Sequence, residues 1–117
     1  MHRVAKGGRN AEYISGESGY LGAKLVPEYV LGVQSQKVMA NIKHYVLNNQ
    51  ETNRNLVDSL VGDRALHEVY MAPFRAGALA GAASAMCSYN LVNGTHACGN
   101  GNTMNKDLKA DLHWAGK

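Results

Sequence analysis

The stretch "KVMANIKHYVLNNQETNR", from Lys37 to Arg54, joins a short apolar run to a loop that is rich in amides and charges. Its first part, residues 37–46, mixes β-branched and other apolar side chains, which favours a buried strand that ends near Lys43. Ligands of parallel α/β sheets bind at the carboxyl ends of the strands. The neighbouring residues Lys43 and His44 are therefore candidates for a functional site.

Helices are predicted on either side of this strand. From Tyr20 to Gln34, apolar residues recur about every four positions, as in a helix packed on a sheet, although Pro27 removes one helical hydrogen bond. From Arg64 toward Gly81, apolar residues also fall on one face. Asp63 is expected to cap this second helix, and Pro73 is expected to bend it.

The rest of the chain predicts one more strand and one more helix. Ala83 to Asn90, "ASAMCSYN", is small and apolar, as in a buried strand, and a polar turn with an Asn-Gly step follows it. Asn102 to Leu112 has apolar residues at a spacing of four, which predicts a helix. This order of elements fits an α/β fold with parallel strands and crossover helices. Arg9 follows a Gly-Gly step and is expected to close a further strand whose body lies before Met1.

Composition excludes several classes of protein. A chain of 117 residues with 45% hydrophobic residues has room for one core. Its net charge of +3 comes from scattered basic residues rather than from a stripe that would follow phosphates, so nucleic-acid binding is only a weak alternative. Apolar runs are far shorter than the roughly 20 residues of a membrane-spanning helix, so no membrane role is expected.

Cysteines and histidines give no metal-site pattern. Cys87 and Cys98 are too far apart for a redox CxxC pair and too few for a zinc ribbon. The sequence leaves open whether they form a single disulfide or remain one buried thiol and one loop thiol. The histidines other than His44 have no metal-ligand spacing and are expected at the surface, so no metal site is predicted.

Four residues at predicted strand ends suit a polyhydroxylated ligand: Arg9, Lys43, His44 and Tyr89. Arg and Lys donate hydrogen bonds to hydroxyl oxygens, His offers a donor and an acceptor, and Tyr adds an aromatic wall. Taken singly, a strand-end Lys or Arg is usually a solvated charge, and a lone Tyr or His usually contributes to packing. The set, rather than any one member, favours a sugar ligand.

Acidic residues do not form an evident catalytic pair. Hydrolysis of a glycosidic bond normally needs two carboxylates about 5 to 9.5 Å apart. The candidates are Glu51, Asp58, Asp63 and Glu68. Glu51 is expected to support Arg54 or to face solvent, while Asp63 and Glu68 fit a helix cap and a helix-surface charge, so no acid/base pair is predicted.

Longer blocks of the sequence resemble consecutive blocks of glycoside hydrolase family 3, in the order of that family. They are "GRNAEYISGESGYLG", "GVQSQKVMANIKHYVLNNQETNR", "DRALHEVYMAPF", "AMCSYNLVNGTHACGN" and "LKADLHWAG". The most specific parts are the pattern K-H-Y-x-x-N-x-x-E-x-x-R in the second block and M-x-S-Y-N-x-V-N-G in the fourth. The resemblance covers nearly the whole chain and implies a β-glucosidase-like protein.

The resemblance implies that residues 1–117 are a fragment from the middle of the family's N-terminal (β/α)8 domain, that is, a partial TIM barrel. In this family, several side chains hold the hydroxyls of the sugar in the −1 subsite, and they match Arg9, Lys43, His44 and Tyr89. Met86 is expected to lie beside Tyr89 and to line the same pocket.

The resemblance also implies a retaining, exo-acting β-glycosidase that removes terminal, non-reducing sugars from β-linked glycosides or oligosaccharides. Its nucleophile, an Asp, is expected just beyond Lys117, and its acid/base Glu in a later domain, so no catalytic residue is expected within the chain. The chain alone is therefore expected to be inactive and to need the rest of the barrel and the C-terminal domains. No cofactor is expected, and the parent enzyme is expected to be extracellular or periplasmic.

Some positions depart from the usual residues of the family, and they are Ala11, Ser18, Gly19, Pro27 and His113. These departures put the packing of the first loop and helix in doubt, and an alternative is a non-catalytic carbohydrate-binding remnant or pseudoenzyme fragment. A few parallel strands cut from a barrel would expose strand edges and helix faces. Low stability or aggregation is therefore expected for the chain alone.

Overall fold

A computed structural model describes residues 3–116 and gives an α/β fold. The chain begins with a 3₁₀ turn, Asn10–Glu12, and a long helix, α1, Gly19–Ser35. The strands are β1 Asn41–Tyr45, β2 Asp58–Ser59, β3 Ser84–Cys87, β4 Leu91–Val92 and β5 Thr95–His96. The other helical segments are α2 Asp63–Ala65, a π-helical turn Leu66–Tyr70, α3 Ala72–Leu79, a 3₁₀ turn Ala97–Gly99 and a π-helical segment Asn102–Ala110.

The two strands predicted from the sequence form a parallel pair. β1 and β3 lie side by side, with Lys43 opposite Met86, and the chain between them contains α2 and α3. A helical crossover of this kind is what parallel neighbours require. β1 continues to Tyr45 rather than ending near Lys43, so Lys43 and His44 lie within its last three residues.

The first predicted helix is present as α1. Its N-terminus is capped by Ser18, whose hydroxyl accepts a hydrogen bond from the backbone N–H of Leu21 at 3.1 Å. Pro27 lies inside α1 without ending it. Val26 and Val30 are buried on the face that packs toward the sheet and α3, so packing outweighs the hydrogen bond that Pro27 removes.

Two glycines allow α1 and α3 to approach each other closely. A Cβ atom on Gly22 would lie 2.8 Å from Cγ of Pro73, and a Cβ atom on Gly77 would lie 2.8 Å from Cγ1 of Val26. These distances are shorter than van der Waals contact, so a larger residue at either position would push the helices apart. Pro73 lies in the first turn of α3, where a missing N–H costs little.

The predicted crossover helix consists of α2, the π-helical turn and α3. In the π-helical turn, the N–H of Met71 donates to the carbonyl of Leu66 at 2.8 Å, and α3 begins directly afterwards. The prediction that Asp63 caps this helix is wrong, because Gly62 occupies the N-cap position and Asp63 is the first helical residue. Its carboxylate still lies in the first turn, where a negative charge stabilises a helix.

The polar turn after β3 forms a hairpin, which the sequence analysis did not predict. β4 and β5 pair in antiparallel fashion around Asn93 and Gly94, whose φ angles are 49° and 85°. Asn-Gly favours such two-residue turns because both positions need positive φ. β2 pairs with β4 in parallel, so the hairpin belongs to a second, three-stranded sheet.

The main core is centred on Tyr45. The rings of Tyr45 and Phe74 meet edge to face at 5.1 Å, and the Tyr45 hydroxyl donates to the carbonyl of Thr103 at 2.8 Å. The predicted last helix is present as the π-helical segment, which buries Leu108 in this core. The indole N–H of Trp114 donates to a backbone carbonyl of the crossover at 2.8 Å. These contacts attach the end of the described chain to β1.

Cys87 and Cys98 form a disulfide, with their Cα atoms 5.1 Å apart. Of the two alternatives left open by the sequence, the structure therefore has the cross-link. It ties the end of β3 to the 3₁₀ turn after the hairpin, and so closes the hairpin loop at its base.

Two further expectations concern a strand near Arg9 and membrane-spanning helices. The strand expected to end at Arg9 has its body before Met1, outside the described residues, and stays a prediction; within residues 3–40 there is no strand, and Arg9 directly precedes the first 3₁₀ turn. Among the described residues, no helix has the length and apolar character needed to cross a membrane.

Candidate functional site

Arg9, Lys43, His44 and Tyr89 lie in one cluster at the carboxyl ends of β1 and β3. Nη1 of Arg9 donates to the hydroxyl of Tyr89 at 3.4 Å. The rings of His44 and Tyr89 have their centroids 5.3 Å apart and are tilted by 46°. Lys43 joins the cluster through a carboxylate that it shares with Arg9. The four residues are neighbours in space, while their role in sugar binding stays a prediction.

The shared carboxylate belongs to Glu12, which the sequence analysis did not select. Nε and Nη2 of Arg9 donate to its two oxygens at 2.8 and 2.9 Å. Nζ of Lys43 donates to one of these oxygens, Oε2, at 2.7 Å. The 3₁₀ turn places Glu12 three residues after Arg9, whereas Lys43 comes from β1. Glu12 therefore links the first loop to the strand.

Arg54 is a second residue of the cluster that was not predicted to belong to it. Its Cζ atom lies 3.8 Å from the centroid of the Tyr89 ring, which is a cation–π contact. Tyr89 is thus held by three side chains, with Arg54 and His44 on its ring and Arg9 on its hydroxyl. These contacts fix the orientation of the ring.

Glu51 joins the two arginines to the loop after β1. One of its oxygens accepts from the amide of Asn48 at 3.0 Å, and the other accepts from Nη1 of Arg54 at 2.6 Å. Nη1 of Arg9 lies 3.9 Å from the same carboxylate. The expectation that Glu51 supports Arg54 is confirmed.

Backbone contacts dock the loop that carries Arg9 onto the loop after β1. The N–H of Glu51 donates to the carbonyl of Gly7 at 3.0 Å, and the hydroxyl of Tyr13 donates to the carbonyl of Asn48 at 2.9 Å. A Cβ atom at Gly7 would lie 3.0 Å from a backbone carbonyl of that second loop. A larger residue at position 7 would force this carbonyl to shift, so glycine favours the close approach that brings Arg9 to the end of β1.

The cluster contains two guanidinium groups, one ammonium group and two carboxylates. Hydrogen bonds from Arg9 and Lys43 lower the pKa of Glu12 from 4.5 to about 2. The same contact with Glu12 raises the pKa of Arg9. Burial alone would raise the pKa of Glu51, but hydrogen bonds from Asn48 and Arg54 outweigh it and lower the pKa. Both carboxylates are therefore ionised at neutral pH.

His44 is 5% exposed, and burial is the main reason that its pKa is lowered from 6.5. The positive charges of Arg9 and Lys43 lower the pKa of His44 further. Its imidazole is neutral at neutral pH, so one ring nitrogen can donate a hydrogen bond while the other accepts one.

Met86 lies opposite Lys43 in the parallel register of β1 and β3, and 45% of it is exposed. It therefore borders the cluster on the Lys43 side. Its assignment to a sugar pocket stays a prediction.

Residues 3–117 match a known family model, the N-terminal domain of glycosyl hydrolase family 3. The chain belongs to this family. Its residues Lys43 and His44 lie in the block that carried the resemblance, and so does Arg54.

Two similar proteins of family 3 are named β-glucosidases. The chain is 45% identical over 127 residues to the probable β-glucosidase M of Emericella nidulans. It is 46% identical over 116 residues to the β-glucosidase cel3A of Pyricularia oryzae. Each alignment covers 99% of this chain and 16% of the relative, so the chain spans about a sixth of the length of these proteins.

Solved family 3 structures have the same fold over this region. The β-glucosidase 3B of Thermotoga neapolitana, in complex with glucose, gives a TM-score of 0.95 at 41% identity, over 99% of this chain and 16% of that one. DesR, a β-glucosidase from Streptomyces venezuelae in complex with D-glucose, gives a TM-score of 0.91 at 36% identity, over 97% of this chain and 14% of that one. The parallel strands and helices described above are therefore similar to the N-terminal barrel domains of family 3.

The cluster at the carboxyl ends of β1 and β3 contains two residues that the sequence analysis did not identify as site residues. Arg54 was considered only as the partner of Glu51, although it closes the most specific sequence block. Glu12 stands three residues after Arg9, a spacing that returns an acid to a guanidinium within one helical turn. An acid at that spacing from a selected cation is the signal that could have identified it.

Proposed function

We propose that this chain supplies the sugar-binding −1 subsite of a retaining, exo-acting β-glycosidase with β-glucosidase-like activity. The enzyme removes a terminal, non-reducing sugar from a β-linked glycoside or oligosaccharide. In this proposal, the hydroxyl groups of the sugar are bound by Arg9, Lys43, His44 and Tyr89, and Met86 lines the same pocket.

The observation that carries this proposal is the convergence of these side chains at the carboxyl ends of two parallel strands. A sugar presents several hydroxyl groups, and each needs a hydrogen-bond partner when the site excludes water. Arg9 and Lys43 offer N–H donors, His44 is neutral and offers a donor and an acceptor, and Tyr89 offers a ring and a hydroxyl. Two similar β-glucosidases were solved with glucose, which supports a gluco-configured ligand.

The carboxylates of this cluster are poorly suited to catalysis. The acid of a glycosidase needs a raised pKa, whereas the pKa values of Glu12 and Glu51 are lowered. The hydrogen bonds that the two oxygens of Glu12 accept from Arg9 and Lys43 also reduce their nucleophilicity. We therefore place the nucleophilic Asp and the acid/base Glu outside residues 1–117, and the chain alone is expected to be inactive.

The remainder of the enzyme is proposed to complete a (β/α)8 barrel around β1 and β3. Within residues 3–116, these two strands pair only with each other, so their outer edges are open to further strands. A largely apolar cavity of about 210 Å³ lies beside β1 and is lined in part by Tyr29 and Phe74. Tyr29 on α1 is 66% exposed, which suits a surface that another part of the enzyme covers.

The activity test uses the full-length protein that contains this chain, with an aryl β-glucoside as substrate. We expect release of the aglycone, and we expect β-glucose as the first anomer in a proton NMR time course, because retention goes through two displacements. The isolated 117-residue chain is the control and is expected to release nothing. Initial α-glucose would overturn the retaining mechanism, and an inactive full-length protein that binds glucose would favour the carbohydrate-binding remnant.

The proposal that other parts of the enzyme cover α1 and the strand edges has its own test. The isolated chain is expected to aggregate or to unfold without a cooperative transition, because its open strand edges and exposed apolar side chains lack partners. Scanning calorimetry and analytical ultracentrifugation measure both properties. A soluble monomer with one cooperative transition would contradict the proposed dependence on the rest of the barrel.

We further propose an extracellular or periplasmic location for the parent enzyme. The disulfide between Cys87 and Cys98 supports it, because such cross-links persist mainly in oxidising compartments. Mass spectrometry of the protein from its natural source, with thiol alkylation before reduction, tests this. Fully alkylated Cys87 and Cys98 would contradict an oxidising location.

A further inference from the structure

Glu12 is the acceptor that two different elements share. Three charged donor groups reach its carboxylate, namely Nε and Nη2 of Arg9 and Nζ of Lys43, at distances from 2.7 to 2.9 Å. We propose that Glu12 is a positioning residue that holds Arg9 and Lys43 in place at the −1 subsite. This inference rests on the proposed sugar-binding role of the cluster, and it assigns Glu12 no contact with the reacting atoms.

Lys43 is the residue that most needs such a partner. Its ammonium sits on a flexible four-carbon stem, so its position is defined only where an acceptor fixes it. The side chain is 36% exposed, and among residues 3–116 the carboxylate of Glu12 is the only one within 4.0 Å of its ammonium. Without Glu12, the ammonium would point into solvent over a range of rotamers.

Glu12 also sets the direction in which Arg9 donates. Its two oxygens accept from Nε and Nη2, and such paired bonds fix the plane of a guanidinium. This leaves Nη1 directed at the hydroxyl of Tyr89. One carboxylate therefore orients Arg9, positions Lys43 and offsets the repulsion between these two cations.

An ordinary surface ion pair on the same chain provides the contrast. Arg64 and Glu68 are one helical turn apart, and their side chains are 87% and 61% exposed. Exposed pairs of this kind contribute little, because water screens them and the side chains lose entropy. The side chains of Arg9, Lys43 and Glu12 are 24%, 36% and 41% exposed, and the pair of Lys43 with Glu12 joins β1 to the first 3₁₀ turn. Glu68→Gln is therefore the matched control for Glu12→Gln, since each removes one charge and one ion-paired acceptor.

The experiment measures steady-state kinetics of the full-length protein on an aryl β-glucoside. Glu12→Gln is expected to lower kcat/KM about ten- to a hundredfold, the range for losing charge-assisted hydrogen bonds. Much of the loss should be a rise in KM, because the hydroxyl contacts of Arg9 and Lys43 already form in the substrate complex. Glu12→Asp, which keeps the charge, is expected to recover part of the loss, and Glu68→Gln is expected to match the parent protein.

A double-mutant cycle with Lys43→Met separates positioning from a general effect on the fold. If Glu12 acts through Lys43, the double variant loses less than the product of the two single losses. Multiplicative losses in this cycle, or unchanged kinetics of Glu12→Gln, would overturn the inference. Glu12→Asp takes the place of Glu12→Gln in the cycle if the latter does not fold.

Crystal structures of the full-length protein and its Glu12→Gln variant keep the inference separate from the proposed activity. We expect the Lys43 ammonium to move or to lose its defined position in the variant. An inactive parent protein would refute the proposed function, and the two structures would still decide whether Glu12 positions Lys43. An ammonium that stays in place would refute the inference even in an active enzyme.

Discussion

Two polar networks hold the loops at the carboxyl ends of β1 and β3, and they differ in charge and in burial. The first is the charged cluster, whose side chains are between 24% and 41% exposed and comprise Arg9, Glu12, Lys43, Glu51 and Arg54. The second is neutral, and we call it the hairpin network; it is made up of the buried residues Ser88 and Asn90 and the partly buried Ser59. Asn90 is 1% exposed and Ser88 is 2% exposed.

The hairpin network connects three strand ends. The hydroxyl of Ser88 lies 2.6 Å from Oδ1 of Asn90, and the Asn90 amide donates to Oγ of Ser59 at 3.2 Å. The same amide donates to the carbonyl of Leu91 at 2.9 Å. Tyr89 stands between Ser88 and Asn90 in the chain, so this network holds its backbone while the charged cluster holds its side chain.

The difference between the two networks predicts that only changes in the charged cluster lower activity without lowering stability. A buried neutral group that loses its partner keeps its desolvation cost, so changes in the hairpin network should lower the free energy of unfolding. Water can replace partners in the half-exposed charged cluster, so changes there should cost little stability. The charged cluster instead fixes where donor groups lie, and changes there should lower activity.

The largest expected effect is that of Lys43→Met on activity. In the full-length protein, kcat/KM is expected to fall about a hundredfold or more, because a charged donor to a sugar hydroxyl is lost. The thermal midpoint should stay nearly unchanged, since the ammonium is solvent-accessible. Lys106→Met, which changes an exposed lysine on the π-helical segment, is the control. Unchanged kinetics of Lys43→Met would remove this residue from the pocket.

Removal of the disulfide should have the next largest effect, on local stability. The bond closes an 11-residue separation, and a loop of this size contributes about 3 kcal/mol in the chain-entropy account. In the double variant Cys87→Ser with Cys98→Ser, hydrogen exchange of residues 88–97 should become faster, as measured by mass spectrometry. Exchange in α1 serves as the internal control. If the hairpin were equally protected in the double variant and in the parent protein, its hydrogen bonds alone would hold the loop.

Asn90→Ala is expected to lower local stability by about 2 kcal/mol, the cost of leaving buried partners unsatisfied. The same hydrogen-exchange measurement should show faster exchange around β4, and activity should fall because Tyr89 moves. Asn105→Ala, at an exposed position of the π-helical segment, is the matched control. If Asn90→Ala lowered activity without faster exchange, the contrast between the two networks would be incorrect.

The smallest expected effect is on the titration of His44. Its pKa lies below 6.5 because of burial and because Arg9 and Lys43 are positively charged, so Arg9→Met should raise the pKa. The unfolded chain binds this proton more tightly than the folded protein, so the folded state loses stability as the pH falls below 6.5. NMR of histidine-labelled protein measures the titration, with His44→Gln to assign the signal. A pKa that falls in Arg9→Met would exclude the charge contribution.

Much of the fold could be predicted because the sequence pattern and the tertiary structure agree over the larger elements. The apolar spacing of residues 20–34 identified α1, and the small apolar run of residues 83–90 contained β3. Strand ends were less predictable. β1 runs to Tyr45 because the ring of Tyr45 packs on Phe74, a residue of α3 that is distant in the sequence. The π-helical turn at residues 66–70 has no local sequence signal either, because packing of the neighbouring helices sets it.

Part of the candidate site could also be predicted, because the sequence pattern identified the strands that carry it. The residues at strand ends, Lys43, His44 and Tyr89, follow from the rule that sites lie at the carboxyl ends of parallel strands. Glu12 and Arg54 lie on loops, and their contacts depend on how the loops dock through the carbonyl of Gly7. The hairpin was missed although Asn93 and Gly94 signalled a tight turn, because its strands have only two residues each.

The cross-link between Cys87 and Cys98 also bears on how the protein can be produced. Tyr89 is two residues from Cys87, so a recombinant host with a reducing cytosol would deliver molecules in which the hairpin loop is not cross-linked at its base. Such a preparation would lose turnover for a reason unrelated to any substituted residue. Counting free thiols in each batch, before comparing variants, separates incomplete oxidation from a defect in sugar recognition.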